Sequence, residues 1–418
     1  MPKFSIVIPT YNRARLLPFA VRSVLEQTFE DFELVISNGG STDETSEVVR
    51  TFDDPRIKYI ESDRRLLVGE NYQQGLESAT GEYITFLSDD DAFVPQMLET
   101  VHQNLTEYEI EVIAFKSCFY FENPTRTSGH SLPGNSLMIQ PFTGKVFEFD
   151  RSTASAAVFS HFNLGNGSTE NFNVSYLANA VYHRGVFSKI WSVNDKPFSM
   201  IPADGYLAAA VTYVVEKYHC LDQPLHVWTN WAENATASPE RVKNGLRRHY
   251  EQLLDGKTLD RVPVKFAMPQ NCIANALIQA NVDFDSSNEY SDWLAYYCSI
   301  FDELMHLKSL GIEIDKELSE FFSVVDHESD DLMARVLDSV QRSQRTLKNL
   351  LLRFSPRVFN AVKVVNSLRQ RGEVDCYIGK RERFQNVFEC AHFAGQLQEK
   401  ARVAKVGRFI ESNRRQTI

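Results

Sequence analysis

No stretch of the 418 residues approaches the run of about eighteen apolar residues that a membrane-crossing helix requires. Six cysteines, Cys118, Cys220, Cys272, Cys298, Cys376 and Cys390, are scattered with no Cys-x-x-Cys pair. That spread speaks against a zinc site or a disulfide frame and for reduced thiols in a cytoplasmic chain. The ten histidines show no ligand spacing, so core or surface roles are the reading for each. Met1-Pro2-Lys3-Phe4 enters a β-rich segment at once, and no charged leader with an apolar signal segment is expected. The sequons at Asn104, Asn166, Asn173 and Asn234 matter only on a secretory route and are read as incidental. What the chain does have is 43% hydrophobic and 24% charged residues, enough for a large core and for two or three domains.

The amino-terminal third alternates two periods. Phe4 to Ile8 is a β-rich apolar run, and Leu16, Leu17, Ala20, Val21, Val24 and Leu25 recur at helical spacing after it. Phe32 to Ile36 repeats the strand pattern. The turn Ser37 to Asp43 contains Gly39 and Gly40, and Thr42 or Asp43 can cap a helix over Glu44 to Phe52. A third strand, Ile57 to Glu61, precedes a helix over Gly69 to Ala79, and Tyr83 to Leu87 reads as a buried fourth strand. Strands alternating with helices imply right-handed crossovers and a mainly parallel α/β sheet. The carboxyl ends of strands one, two and four then share one edge, where open sheets bind ligands.

Asp89-Asp90-Asp91 emerges at that edge directly after the fourth strand. Three adjacent acids repel one another unless a cation shares them, and hard oxygen ligands of this kind suit Mg²⁺ or Mn²⁺ already holding phosphates. The bland reading is a solvated acidic turn.

Four segments in fixed order now carry a resemblance: Pro9-Thr10-Tyr11-Asn12-Arg13, Gln27-Thr28-Phe29 with Phe32 to Ile36, Ser41-Thr42-Asp43-Glu44-Thr45, and Ala79 to Ile84 before the acids. Together they resemble the inverting family 2 glycosyltransferases of the GT-A fold, over roughly the first hundred residues. Val181 to Arg184 and Ala203-Asp204-Gly205-Tyr206 are similar to that family's acceptor-side segment. The resemblance implies a Rossmann-like mixed sheet and transfer of a sugar from a nucleotide donor to a glycan or lipid-linked acceptor in surface polysaccharide synthesis. It implies UDP as the expected donor nucleotide, GDP and dTDP staying open, and Mn²⁺ or Mg²⁺ as cofactor.

The resemblance also assigns residues. Pro9, Thr10, Tyr11 and Arg13 would hold base, ribose and phosphate, with Tyr11 stacking and Arg13 offering its fork of donors. Asn38, beside Gly39, stands where the family usually has an aspartate that meets the base. Asn71 resembles a position near the donor. Ser88 takes the first place of the family's Asp-x-Asp-Asp, Asp89 a ribose or metal contact, and Asp90 the principal metal place, with Asp91 as a supporting or cap residue. Asp204 would be the base that takes the acceptor hydroxyl's proton; Asp195, Glu170 and Glu233 are lesser candidates, and a helix cap is the plain alternative.

Residues 1–110 thus read as a nucleotide-sugar half and 111–238 as an acceptor half. Asn123 to Asn135 and His161 to Asn173 are read as loops, and Trp228 and Trp231 either stack on sugar or pack in the core. Residues 239–418 read as an α-helical region, with helices at Cys272 to Ala280, Trp293 to Ser309 and Lys316 to Val325 among others. Residues 341–418 hold 17 Lys or Arg against 6 Asp or Glu, whereas the whole chain carries a net charge of −11. The basic amphipathic segment Arg345 to Arg371 suits an anionic membrane surface on the cytoplasmic face. Packing on the catalytic half or on another subunit is the other reading. Nucleic acid is not an expected partner of so acidic a chain. Two other classes compete: a catalytically degenerate GT-A module that only binds nucleotide or glycan, and a nucleotidyltransferase, whose Gly-rich basic loop after strand one is absent.

Overall fold

The computed structural model describes residues 1–107, 109–122, 125–127, 130–132, 134–139, 141–165, 170–230, 254, 258–285, 290, 292–309, 312–328, 335–336, 386–396 and 398. Trp231, Glu233 and the whole of the segment Arg345 to Arg371 lie outside them.

The sheet begins as the alternation predicts. Strands β1 (Phe4–Thr10), β2 (Phe32–Asn38), β3 (Ile57–Glu61) and β4 (Tyr83–Phe86) are linked by helices α1 (Leu17–Leu25), α2 (Thr45–Arg50) and α3 (Val68–Ser78). The ladders β1 with β2, β2 with β3 and β1 with β4 are all parallel, so the ends of β1, β2 and β4 share an edge. Side chains of β1 divide by parity: Phe4, Ile6 and Ile8 enter one apolar cluster and Val7 the other. A strand covered on both faces reads as a continuous apolar run, which is why its sequence does not alternate.

Past Asp91 the chain makes β5 (Ala92–Phe93), α4 (Met97–Glu107) and β6 (Val112–Phe121), then β7 (Thr125–Thr127), β8 (His130–Leu132), β9 (Ser136–Met138) and β10 (Val146–Asp150). The stretch Asn123 to Asn135, read from sequence as one loop, contains an antiparallel β7–β8 ladder. Thr125, Arg126 and Thr127 pair with Leu132, Ser131 and His130 through the backbone without the apolar alternation that marks a strand. Helix α5 (Arg151–His161), β11 (Ala180–His183), α6 (Arg184–Trp191), α7 (Ala203–Val214) and β12 (Lys217–Asn230) follow.

The ten-stranded sheet runs β10-β12-β6-β11-β4-β1-β2-β3. β11 lies antiparallel between β4 and β6 and makes the sheet mixed, as the GT-A resemblance implies. β5 pairs with β12 and β9 with β6 off this path. Helices α8 (Pro269–Phe284), α9 (Trp293–Ser309) and α10 (Asp315–Glu328) follow. Cys272, Tyr296 and Phe321 from these helices share a cluster with Val7, Phe86 and Tyr206. The other sheet face is covered by α1, α4 and a helical segment at 387–396, through Val387, Cys390, Ala391 and Ala394.

A further contact fixes the segment before α7. A single 3-10 turn, Pro197–Ser199, seats on α3. The Phe198 ring lies parallel to Tyr72 at 5.9 Å and edge-on to Phe86 at 6.0 Å. Gly69 permits this approach, because a Cβ there would stand 1.9 Å from the Phe198 carbonyl oxygen. Gly69→Ala must therefore push residues 197–199 off α3, and overpacking of this kind costs about 1–3 kcal/mol. Urea unfolding is expected to show a loss of that size; an unchanged midpoint would mean that the two segments do not touch.

Candidate active site

The loop after β1 is stitched to the loop after β2. Asn12 takes a φ of 53°, which asparagine tolerates better than most side chains. Its amide donates to Ser41 Oγ (2.9 Å) and its Oδ1 accepts from the Thr42 amide (2.7 Å). The Arg13 amide donates to Thr45 Oγ1 (3.1 Å) and the Ala14 amide to Asp43 Oδ2 (3.1 Å). The main chain carrying Tyr11 and Arg13 is thereby held from both sides.

Asn71 and Asn38 brace this frame from below. Asn71 is buried; its Nδ2 donates to the Thr10 carbonyl (3.0 Å) and its Oδ1 accepts from Ser37 Oγ (2.7 Å). It ties α3 to the ends of β1 and β2. Asn38 is fully buried, donating to Tyr59 Oη (2.8 Å) and Ser46 Oγ (3.2 Å) and accepting from the Ser41 amide (2.9 Å). The sequence offers Asn38 as a base-reading side chain, whereas in this conformation its amide serves the turn of Gly39 and Gly40 below the site.

Tyr11 and Arg13 remain partly open, Thr10 is buried and Pro9 is half-buried. The Arg65 guanidinium stands over the Tyr11 ring, 5.1 Å from its centroid, within the range of a cation–π contact. Sequence reasoning missed Arg65, because 54 positions separate it from Tyr11. The chain brings it back through the Ser62 and Leu66 amides, which donate to the Asn38 (2.9 Å) and Gly39 (3.0 Å) carbonyls.

The acids divide. Asp89 meets Arg13 Nε at 3.7 Å, its side chain 13% exposed. Burial raises its carboxyl from 3.8 to about 6; the Arg13 charge opposes that rise and the Asp91 charge adds to it. Asp91 turns inward, 3% exposed. Its Oδ2 meets His226 Nε2 at 3.1 Å, and its Oδ1 accepts from the Thr229 amide (2.8 Å). Ser88 turns the loop through its carbonyl, which accepts from the Asp91 amide at 3.1 Å. Asp90, half-buried between them, has its carbonyl held by the Thr229 hydroxyl. No cluster of three His, Cys, Asp or Glu side chains suited to a metal occurs among the described residues. Two carboxylates beside an arginine nevertheless fit a hard cation that takes its remaining ligands from phosphate and water, as Mg²⁺ and Mn²⁺ do.

On the acceptor side Asp204 occupies the first turn of α7 and is half-buried, with the Gly205 amide donating to its Oδ1 (2.9 Å). The Phe198 contact ties the segment before it to Phe86, three residues ahead of Asp89. Asp195 and Glu170 are exposed. Trp228 packs with Phe119, Phe121 and Met138, its ring 5.8 Å from Phe119.

Residues 5–191 match glycosyl transferase family 2. Over 189 residues the chain is 33% identical to the GalNAc(5)-diNAcBac-PP-undecaprenol beta-1,3-glucosyltransferase of Campylobacter jejuni, covering 40% of this chain and 58% of that protein. It is 27% identical over 206 residues to the glycosyltransferase GlyG of Streptococcus pneumoniae, covering 46% and 68%. The chain thus spans little more than half the length of the first relative. Among solved structures, S. aureus TarS 1-349 in complex with UDP-GlcNAc is similar at 17% identity, with a TM-score of 0.44, over 91% of this chain and 98% of that one.

The raised carboxyl sets a pH dependence. In the metal-free protein Asp89 holds its proton more tightly folded than unfolded, so its ionisation costs stability as pH rises from about 4 through 6. Asp89→Asn removes that cost. The variant is expected to exceed wild type at pH 7.5 by up to about 3 kcal/mol in urea unfolding, with the gap closing near pH 4. An equal gap at both pH values would refute the burial of this charge.

Proposed function

We propose, from the match of residues 5–191 to glycosyl transferase family 2, that the chain is an inverting, cation-dependent glycosyltransferase using a UDP-sugar. The observation that carries the reading is the meeting of Arg13 from the end of β1 with Asp89 from the end of β4, beside Asp90. Tyr11, stiffened by Arg65, offers the ring on which a base stacks. Backbone groups of the 39–40 turn are left to meet the base edge, since Asn38 faces inward. Arg13 balances the charge of Asp89 before a diphosphate arrives and supplies donors to it afterwards.

Asp90, with Asp89, would hold Mn²⁺ or Mg²⁺, which when bound neutralises charge on the departing nucleoside diphosphate. Asp204 takes the acceptor hydroxyl's proton as that oxygen attacks the anomeric carbon from the face opposite the diphosphate. The name of the Campylobacter relative specifies a polyprenol-linked acceptor, which supports a lipid-linked glycan as acceptor here. No helix among the described residues is long and apolar enough to cross a membrane. The basic residues of 341–418 are proposed to bring the protein to an anionic cytoplasmic surface, and the division into donor, acceptor and helical regions is proposed as the functional one.

Incubation with a panel of nucleotide sugars and Mn²⁺ is expected to release a nucleoside diphosphate, and EDTA to abolish the release. Asp90→Ala should lower turnover at least about 100-fold. Asp204→Asn should keep UDP binding and lose about 10²–10⁴-fold in kcat. Release of pyrophosphate would indicate nucleotidyl transfer, and binding without release a degenerate module. Full turnover in either variant would reassign that residue's role. Cosedimentation with anionic liposomes at low salt checks the surface contact; a protein left in the supernatant refutes it.

A further inference from the structure

We propose that His226 is a positioning residue, fixing the loop that presents Asp89 and Asp90 through a hydrogen-bonded clamp that runs Ser117–His226–Asp91. The role rests on reading that loop as the cation and diphosphate site.

His226 is 3% exposed, and both ring nitrogens are engaged. Its Nδ1 lies 2.9 Å from Ser117 Oγ and its Nε2 3.1 Å from Asp91 Oδ2. An ionised Asp91 only accepts, so Nε2 carries the proton that it receives, and in the neutral imidazole Nδ1 then accepts from the Ser117 hydroxyl. The carboxylate thus selects the tautomer, and the serine hydroxyl, able to donate or accept, completes it. Both Asp91 oxygens are consumed, one by His226 and one by Thr229. Asp91 cannot swing toward the cleft without leaving a buried ring N–H and a buried amide unpaired.

The pinned carboxylate in turn fixes its neighbours. Directly after Asp91 the chain enters β5, where Phe93 pairs with His226 and Ala92 with Val227. The Val94 amide adds a bond to the Leu225 carbonyl at 3.0 Å. The His226 ring also meets Phe93 edge-on at 6.0 Å. Asp90 lies between this anchor and β4, with its carbonyl held by Thr229. Groups that orient ligand-bearing residues without touching the ligand typically change affinity about 10–100-fold when removed.

Three variants test the clamp. His226→Phe keeps the ring packing and removes both hydrogen bonds, His226→Gln retains an N–H that reaches Asp91, and Ser117→Ala removes only the outer hydroxyl. Amide exchange at residues 89–91 in the metal-free protein, and UDP dissociation constants measured with Mn²⁺ and with EDTA, are the readouts, with circular dichroism for the fold. His226→Phe should speed exchange at 89–91 and weaken Mn²⁺-promoted UDP binding about 10–100-fold, leaving UDP binding in EDTA unchanged. His226→Gln should restore most of it. Ser117→Ala should show the same pattern in smaller measure, and it decides the matter if His226→Phe does not fold. Unaltered exchange, unaltered Mn²⁺-promoted binding, or equal loss with and without Mn²⁺ would overturn the clamp. A wild-type protein that binds UDP equally with and without Mn²⁺, yet whose His226→Phe variant exchanges faster at 89–91, would overturn the cation reading and this role together.

Discussion

Three carboxylates on consecutive residues cannot all face one poorly hydrated cleft without mutual repulsion, and the structure resolves this by giving each acid a different environment. Asp91 is buried and saturated with donors from β12. Asp89 is held beside Arg13, still at a cost, since burial lifts its carboxyl to about 6. Asp90 is left at the turn between them. The division converts an unfavourable cluster into a directed pair with one acid as its foundation. Carboxylates held this close keep mutual repulsion in the loop, and a hard cation, as proposed for this site, would relieve it.

The parts that perform this division come from distant stretches of sequence, and the sheet order explains how they meet. β1 lies next to β4, so a residue just beyond position 10 reaches position 89 across one ladder. β11 separates β4 from β6, and β12 lies beyond β6, yet β12 still touches the acidic loop because β5 crosses over to pair with it. The two-residue strand β5 thus adds a second connection between residues 1–110 and 111–238, beside the β4–β11 ladder. Gly69 and Phe198 make a third on α3, and Asp204 follows six residues later. These attachments together set where Asp204 stands relative to the acidic loop.

How much of this was legible in the sequence depends on the range of the interaction. The strand Ile57–Glu61 and the helix Trp293–Ser309 coincide with their expected bounds, because local periodicity records which faces are buried. The acids at the end of β4 were visible for the same reason. Asn38 was visible as a residue type, but not its inward commitment, since Tyr59 becomes its neighbour only when β3 pairs with β2. Arg65 and His226 carried no local signal at all: one is a basic residue before a helix, the other a lone histidine in a segment interrupted by Pro224. The strand β12 was hidden by His219, Asp222, Gln223 and His226, polar side chains that point to specific partners and break the apolar alternation.

Pro224 shows why that strand is built irregularly. Proline has no N–H to give a ladder, and the β12–β6 register shifts on both sides of it, between Leu221 and Pro224 and again before His226. A bulge there would ordinarily leave polar groups without partners and a strand free to bend. Here it is held from two directions. Gln398 binds the Pro224 carbonyl and Gln223 Nε2 donates to Gln398 Oε1 at 2.8 Å, while Gly395 lies against Pro95 and Gln96 with no room for a Cβ. On the other side His226 and Thr229 grip Asp91. The segment 387–396 with Gln398 therefore supports the same bulge whose opposite face holds Asp91. Loosening the bulge from either side removes a support that the acidic loop cannot replace locally, because three neighbouring negative charges give it no cohesion of its own.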